Sequence, residues 1–282
     1  MKLVSFAQSI FRSIVDVLFP PKCPICGNHL LPGEQTLCHR CNDNLPRTNF
    51  YGLASNATEL TFASLGPRFK KASSFLLHSP GSLSSNLIYK IKYAYRPDLA
   101  ISLGRFLAAD LLLKNPDFFN GIDLLIPVPI TKRRKRERGY NQSEKLAEGI
   151  SQLTHIPIDK TTLRRIHFHA SQTKLDTFQR EQNIQGAFSL FHPEKVAGKH
   201  ILLIDDVVTF GFTLKACAEE LLKASETSLS ILTLATVNQK QVRRNTRVYI
   251  EYGPVRINYL EKRFEKHKSI FTKIVSISRD FG

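Results

Sequence analysis

The sequence predicts an α/β fold, a parallel sheet with helices on both faces, preceded by a small zinc-binding module. Three observations predict it. From residue 87 onward, apolar runs of strand length alternate with helical periodicities. Four of the five cysteines fall between Cys23 and Cys41 as two C-x-x-C pairs. One aliphatic strand runs directly into two adjacent aspartates and a short turn. A chain of 282 residues with 42% hydrophobic content buries one ordinary core and leaves room for something small.

Residues 1–20 read as an amphipathic helix. Leu3, Ala7, Ile10, Ile14, Val17 and Leu18 share one face, and Pro20 and Pro21 stop the helix. Gln8, Ser9, Arg12 and Asp16 interrupt the apolar run that a signal peptide needs, and no transmembrane segment is expected. Docking of the apolar face on the protein body is the plain reading, with membrane association as its rival.

Residues 21–47 form the metal module. Cys23-Pro24-Ile25-Cys26 and Cys38-His39-Arg40-Cys41 make two knuckles that bring four thiolates to one tetrahedral centre, and zinc is the natural occupant. Four sulfurs leave no open position for water, so the role is structural. His29 and His39 are rival ligands. Paired cysteines of this kind suit metal ligation in a reducing compartment, hence a cytoplasmic protein.

Residues 48–86, rich in Ser, Gly, Pro and Asn, read as a linker with short strands or loops, and the domain junction falls there. The main domain, 87–245, has helices at 87–94 and 99–113, then a buried strand at 122–129 that ends in prolines. A basic loop at 132–138, a helix at 141–153, a strand at 201–204, a helix at 213–224 and a strand at 229–237 follow. Residues 246–282 are a basic extension with a strand at 247–252 and an amphipathic helix beyond it.

The charge balance points to polyanions. Forty Lys plus Arg stand against 24 Asp plus Glu, a net +16 with a pI near 9.8, which favours nucleic acid, phosphorylated ligands or an anionic membrane. The chemistry concentrates at Ile201-Leu202-Leu203-Ile204-Asp205-Asp206-Val207-Val208-Thr209-Phe210-Gly211-Phe212-Thr213. The strand delivers two carboxylates to its carboxyl end, suited to sugar hydroxyls or magnesium. The turn after it opens a helix whose backbone N–H groups suit a phosphate. Solvated caps on an ordinary strand-to-helix turn are the competing explanation.

This segment resembles the 5-phosphoribosyl diphosphate loop of type I phosphoribosyltransferases, and the chain as a whole resembles the ComF family. The features that carry the likeness are Leu18-Phe19-Pro20, the four cysteines, Pro127-Val128-Pro129, Arg138-Gly139-Tyr140-Asn141-Gln142, Gln172 with Arg180 and Asn183, and Asp205-Asp206. The resemblance implies that Asp205 and Asp206 hold the ribose 2- and 3-hydroxyls, directly or through magnesium, and that residues 207–213 wrap the 5-phosphate. It implies that Pro127, Val128 and Pro129 open the loop that meets the diphosphate, with Arg134, Arg136 and Arg138 beside it, and that Arg180 belongs to a closing lid. The family reads Thr-Thr-Gly-Ala-Thr in the phosphate turn, whereas this chain has Thr209-Phe210-Gly211-Phe212-Thr213. One hydroxyl is lost and two bulky rings are gained, so the pattern supports ligand binding better than turnover.

The family also implies a link to DNA uptake in competent bacteria, with single-stranded DNA and competence-machinery proteins as partners. Tyr89, Lys90, Lys92, Tyr93, Tyr95 and Arg96 interleave rings and cations as strand-binding surfaces do, with Lys90, Lys92 and Arg96 as the phosphate contacts. Packing of the tyrosines on a helix, with the lysines in water, explains the same pattern. Two functions therefore compete: a phosphoribosyltransferase that uses magnesium, and a non-catalytic strand-binding factor on the same fold.

Overall fold

A computed structural model describes residues 21–51, 53, 55–166, 184 and 186–237. The chain divides into two compact units, 1–237 and 238–282, and all the described residues belong to the first. The expected helix at 1–20, the segment with Gln172, Arg180 and Asn183, and the basic extension lie outside the described residues.

Within the metal module, α1 spans His39–Asp43. It is followed by α2 (Ala57–Phe62), strand β1 (Phe69–His78), α3 (Leu83–Tyr93), α4 (Pro97–Lys114) and β2 (Leu124–Pro127). Then come α5 (Lys132–Arg138), α6 (Gln142–Thr154), the short strands β3 (Leu163–Arg165) and β4 (Phe188–Leu190), β5 (His200–Val208), α7 (Phe212–Leu221) and β6 (Ser228–Val237). Strands β1, β6, β5 and β2 form a parallel sheet in that order, and β3 pairs with β4 as a separate antiparallel ribbon.

Strand alternation explains why both faces are covered. In β5, Leu202 and Ile204 pack with residues of α3, α4 and α6, whereas Ile201 and Leu203 pack with Leu214, Cys217, Ala218 and Leu221 of α7. Helices α4 and α6 cross at glycine. A Cβ on Gly149 would lie 2.0 Å from the Ile101 carbonyl oxygen, and one on Gly104 would lie 2.2 Å from that of Leu146. The metal module is continuous with this core, since Cys23, Leu37, Cys38, Cys41 and Leu45 share a cluster with Leu87, Ile88 and Ile91 of α3.

Two expectations are corrected. The stretch 48–86 is more than a linker, because its ten-residue β1 pairs with β6 inside the main sheet. Ser73 and Ser74 broke the apolar run that would have announced it. Ser74 is fully buried, yet its hydroxyl is satisfied by Thr58 Oγ1 at 2.9 Å and Thr233 Oγ1 at 2.7 Å. The expected basic loop at 132–138 is helix α5. Thr131 Oγ1 accepts from the Arg134 N–H at 3.1 Å to cap its start, Arg133 and Glu137 pair across one turn at 3.6 Å, and Gly139, at φ 74°, ends it. Among the described residues no helix is long and apolar enough to cross a membrane.

Candidate functional site

The four module cysteines converge. Their sulfurs all lie within 4.8 Å of one another, with Cys26 Sγ and Cys38 Sγ 3.7 Å apart. A tetrahedral zinc with bonds of about 2.3 Å requires sulfurs separated by ~3.8 Å, so the donor set fits that ion. Turn geometry prepares the site. Gly27 takes φ +78° and its N–H bonds back to the Cys23 carbonyl at 2.9 Å. Burial raises the Cys23 thiol, but the N–H groups of Cys38, Cys26 and Ile25 outweigh it and bring it down to about 7. Burial and the neighbouring sulfurs push the Cys41 thiol far up. Four thiols this close ionise together only around a cation. His29 and His39 are exposed and stand outside this set.

The second site lies at the carboxyl ends of the parallel strands. Asp205 Oδ1 accepts from Ser143 Oγ at 2.8 Å and from the Asp206 N–H at 2.9 Å. Burial, then the charge of Asp206, pushes the Asp205 carboxyl up to about 7. Asp206 is buried, and its Oδ1 accepts from the Val207 N–H at 2.8 Å. Its Oδ2 accepts no aligned hydrogen bond, although Lys92 Nζ stands 2.8 Å away as an ion pair. An acidic pair, one carboxylate buried and one partly so, with one oxygen held by a single ion pair, is a chemically apt place for a sugar diol or a magnesium ion.

Beyond the pair the chain turns at Gly211, φ +80°, into α7. A Cβ on Gly211 would lie 2.7 Å from Thr61 Cγ2, so conformation and packing both require glycine there. No side chain caps α7, so its first-turn N–H groups are available to an anion. Val208 is buried and Thr209 is exposed. Phe210 and Phe212 stack on each other, with ring centroids 5.7 Å apart.

The expected residues at 127–142 are tied to the same place. The Val128 N–H bonds the Ile204 carbonyl at 2.9 Å, which fixes Pro127, Val128 and Pro129 beside β5. Asn141 donates from Nδ2 to the Val128 carbonyl at 2.9 Å and caps α6 through the Ser143 N–H at 3.0 Å. Arg138 donates to Gln142 Oε1 at 3.0 Å and lies over the Tyr93 ring at 5.4 Å. Arg134 and Arg138, with Lys92, Tyr93, Tyr95 and Glu137, line a cavity of about 290 Å³.

The three cations expected to contact nucleic acid do not converge on one outer face. Lys90 Nζ donates to the Pro24 carbonyl of the metal module, Lys92 turns inward to Asp206, and Arg96 forms a two-toothed pair with Asp98 at 2.7 to 3.0 Å. Tyr89, Tyr93 and Tyr95 are exposed. Sequence reasoning missed three other groups: Ser143, which continues the Arg138–Gln142 box by one residue; His78, held down by burial and by Lys92; and Arg165, held down by burial and by Arg134, with its Nε buried and unpaired. Their partners are far away in sequence, and only the consecutive Asn141-Gln142-Ser143 run carried a signal. Cys217, the fifth cysteine, is fully buried under β5, and its thiol is pushed up by burial and by Asp205.

A parallel sheet with an acidic strand end, a glycine turn and an uncapped helix is the arrangement of a phosphoribosyltransferase domain. The chain belongs to the phosphoribosyl transferase domain family, whose model matches residues 108–255, and the double zinc ribbon domain model matches residues 14–50. Among its relatives is the DNA utilization protein YhgH of Shigella flexneri, 28% identical over 213 residues, which cover 75% of this chain and 88% of that protein. The competence protein F of Haemophilus influenzae is 32% identical over 40% of this chain and 50% of its own length. The competence protein ComFC of Bacillus subtilis is 34% identical over 39% of this chain and 43% of its own. Among solved structures, a glutamine phosphoribosylpyrophosphate amidotransferase from B. subtilis aligns over 52% of this chain and 30% of that one, at 21% identity and a TM-score of 0.35. The zinc ribbon, the phosphoribosyltransferase domain and the relatives named for competence agree with the ComF resemblance drawn from the motifs.

Proposed function

We propose that the chain binds 5-phosphoribosyl diphosphate with magnesium and serves the handling of incoming DNA in the cytoplasm, a reading supported by relatives named for DNA utilization and competence. The observation that carries the reading is the Asp205–Asp206 pair, half-buried and buried, at the carboxyl end of β5, running into the Gly211 turn and the uncapped α7. Asp205 and Asp206 accept the ribose 2- and 3-hydroxyls, and the backbone N–H groups at 209–213 hold the 5-phosphate. Arg134 and Arg138 offset the charge that grows on the departing diphosphate. Magnesium, when bound beside the acidic pair, supplies further charge neutralisation of the diphosphate. Arg180 is proposed as a lid residue. The reaction such a site suits is displacement of diphosphate from the ribosyl carbon by an acceptor or by water.

Asp205→Asn combined with Asp206→Asn is expected to weaken magnesium-dependent binding of phosphoribosyl diphosphate at least about a hundredfold, from two charge-assisted hydrogen bonds lost. Calorimetry reads it, with zinc content as the check on folding. Unchanged affinity would show that the ligand sits elsewhere.

A second reading, single-stranded DNA binding with competence-machinery partners, is favoured by the exposed rings of Tyr89, Tyr93 and Tyr95 beside Arg138. Because Lys92 also serves the acidic pair, the tyrosines are the cleaner probe. Strand affinity is expected to fall steeply with salt, and Tyr89→Ala with Tyr93→Ala to cost roughly 1–3 kcal/mol per ring. A salt-independent signal, or full binding by the double variant, rejects this surface.

A further inference from the structure

Lys92 belongs to two places at once. Its ammonium stands 2.8 Å from Asp206 Oδ2, and Lys92 is also among the residues that line the 290 Å³ cavity, with Arg134 and Arg138. That ion pair is the one contact of the Asp206 Oδ2 oxygen among the described residues. The ammonium takes one of the two lone-pair approaches to Asp206 Oδ2, and a ligand hydroxyl that uses the same approach displaces it. On the cavity side, three cationic residues line one space and repel one another, with Glu137 the only carboxylate among the described residues that line it. That carboxylate is already 3.6 Å from Arg133. The cavity therefore draws the ammonium in only when an anion is there to receive it.

We infer that Lys92 is a specificity-determining latch: it covers Asp206 until a ligand brings a diphosphate into the neighbouring cavity, and so favours ligands that carry both a ribose diol and a diphosphate over those that carry the diol alone. This rests on the phosphoribosyl reading of the acidic pair and adds to it a selectivity that no single contact provides. Ribose 5-phosphate displaces the latch with nowhere to send it. Phosphoribosyl diphosphate displaces it into a new charge-assisted contact. The two ends of the ligand are thereby coupled through one side chain.

The test is calorimetry of the full chain with ribose 5-phosphate and with phosphoribosyl diphosphate, each in magnesium. In Lys92→Met, ribose 5-phosphate is expected to bind roughly tenfold more tightly, because no fraction of the site is latched. Phosphoribosyl diphosphate is expected to bind roughly tenfold more weakly, for want of the delivered cation. Lys92→Arg keeps the charge and grips the carboxylate with two N–H groups, so it is expected to weaken ribose 5-phosphate instead. That variant also decides the matter should methionine above a buried carboxylate impair folding. Parallel weakening of both ligands in Lys92→Met would reduce Lys92 to ordinary attraction for anions and overturn the latch alone. Unchanged affinities would overturn it too. Failure of the unaltered chain to bind either ligand removes the phosphoribosyl reading, and the latch with it.

Discussion

Stripping zinc from the folded chain is expected to lower its thermal midpoint by about 10 °C or more and to open residues 21–47 to proteolysis. The module owns few apolar side chains, so the metal supplies most of its folding free energy, about 10–16 kcal/mol in isolated zinc-finger peptides. Because Cys23, Cys38 and Cys41 are part of the same core as Leu87, Ile88 and Ile91, loss of the metal also uncovers α3. That helix carries Lys92, so ligand binding at the acidic pair is expected to weaken along with the melting point. Cys41→Ser, at a buried ligand, should reproduce both effects and leave well under one zinc per chain. A chelated protein with unchanged melting and unchanged protease resistance would show that the four sulfurs are an ordinary packed cluster.

Gly149→Ala is expected to be the most damaging single substitution away from the ligands, at about 3 kcal/mol or more, beyond the usual overpacking range. Its new methyl would stand 2.0 Å from the Ile101 carbonyl oxygen and 2.7 Å from the Arg105 nitrogen, both backbone atoms of α4 that cannot swing aside. The helices would have to separate, and α6 positions Ser143 against Asp205. Denaturant unfolding should therefore report a lower midpoint, and ligand titration a weaker site. Wild-type stability in Gly149→Ala would mean that the helices adjust at no cost.

How far the sequence revealed this molecule depended on whether a feature was local. The cysteine spacing, the β5 run with its acidic end, and the helices near α4 and α6 were legible because periodicity and motif lie within one segment. Strand β1 was not, since buried Ser73 and Ser74 look like loop residues until Thr58 and Thr233 arrive to bond Ser74. Helix α5 was hidden by its charge, which signals solvent exposure but says nothing against a capped helical turn. The ion pair of Lys92 was not legible either: interleaved Tyr and Lys describe spacing along α3, whereas its partner Asp206 lies in β5. His78 and Arg165 gave no signal, because only the fold brings them toward the acidic pair.

The strand order has a consequence for synthesis. Strand β6 lies between β1 and β5, yet about 150 residues separate the end of β1 at His78 from the start of β6 at Ser228. On the ribosome, β1 emerges early with only residues 46–48 to bond one of its edges, and the edge that β6 fills stays open until most of the domain has followed, while the cysteine module upstream is already able to take its metal. The pairing of β1 within the parallel sheet is then closed by the last described strand, which makes sheet formation a late and long-range event. A nascent chain cut before residue 228 holds the acidic pair in β5 but has no strand to join it to β1, so messages truncated there yield an exposed edge in place of a working half-domain.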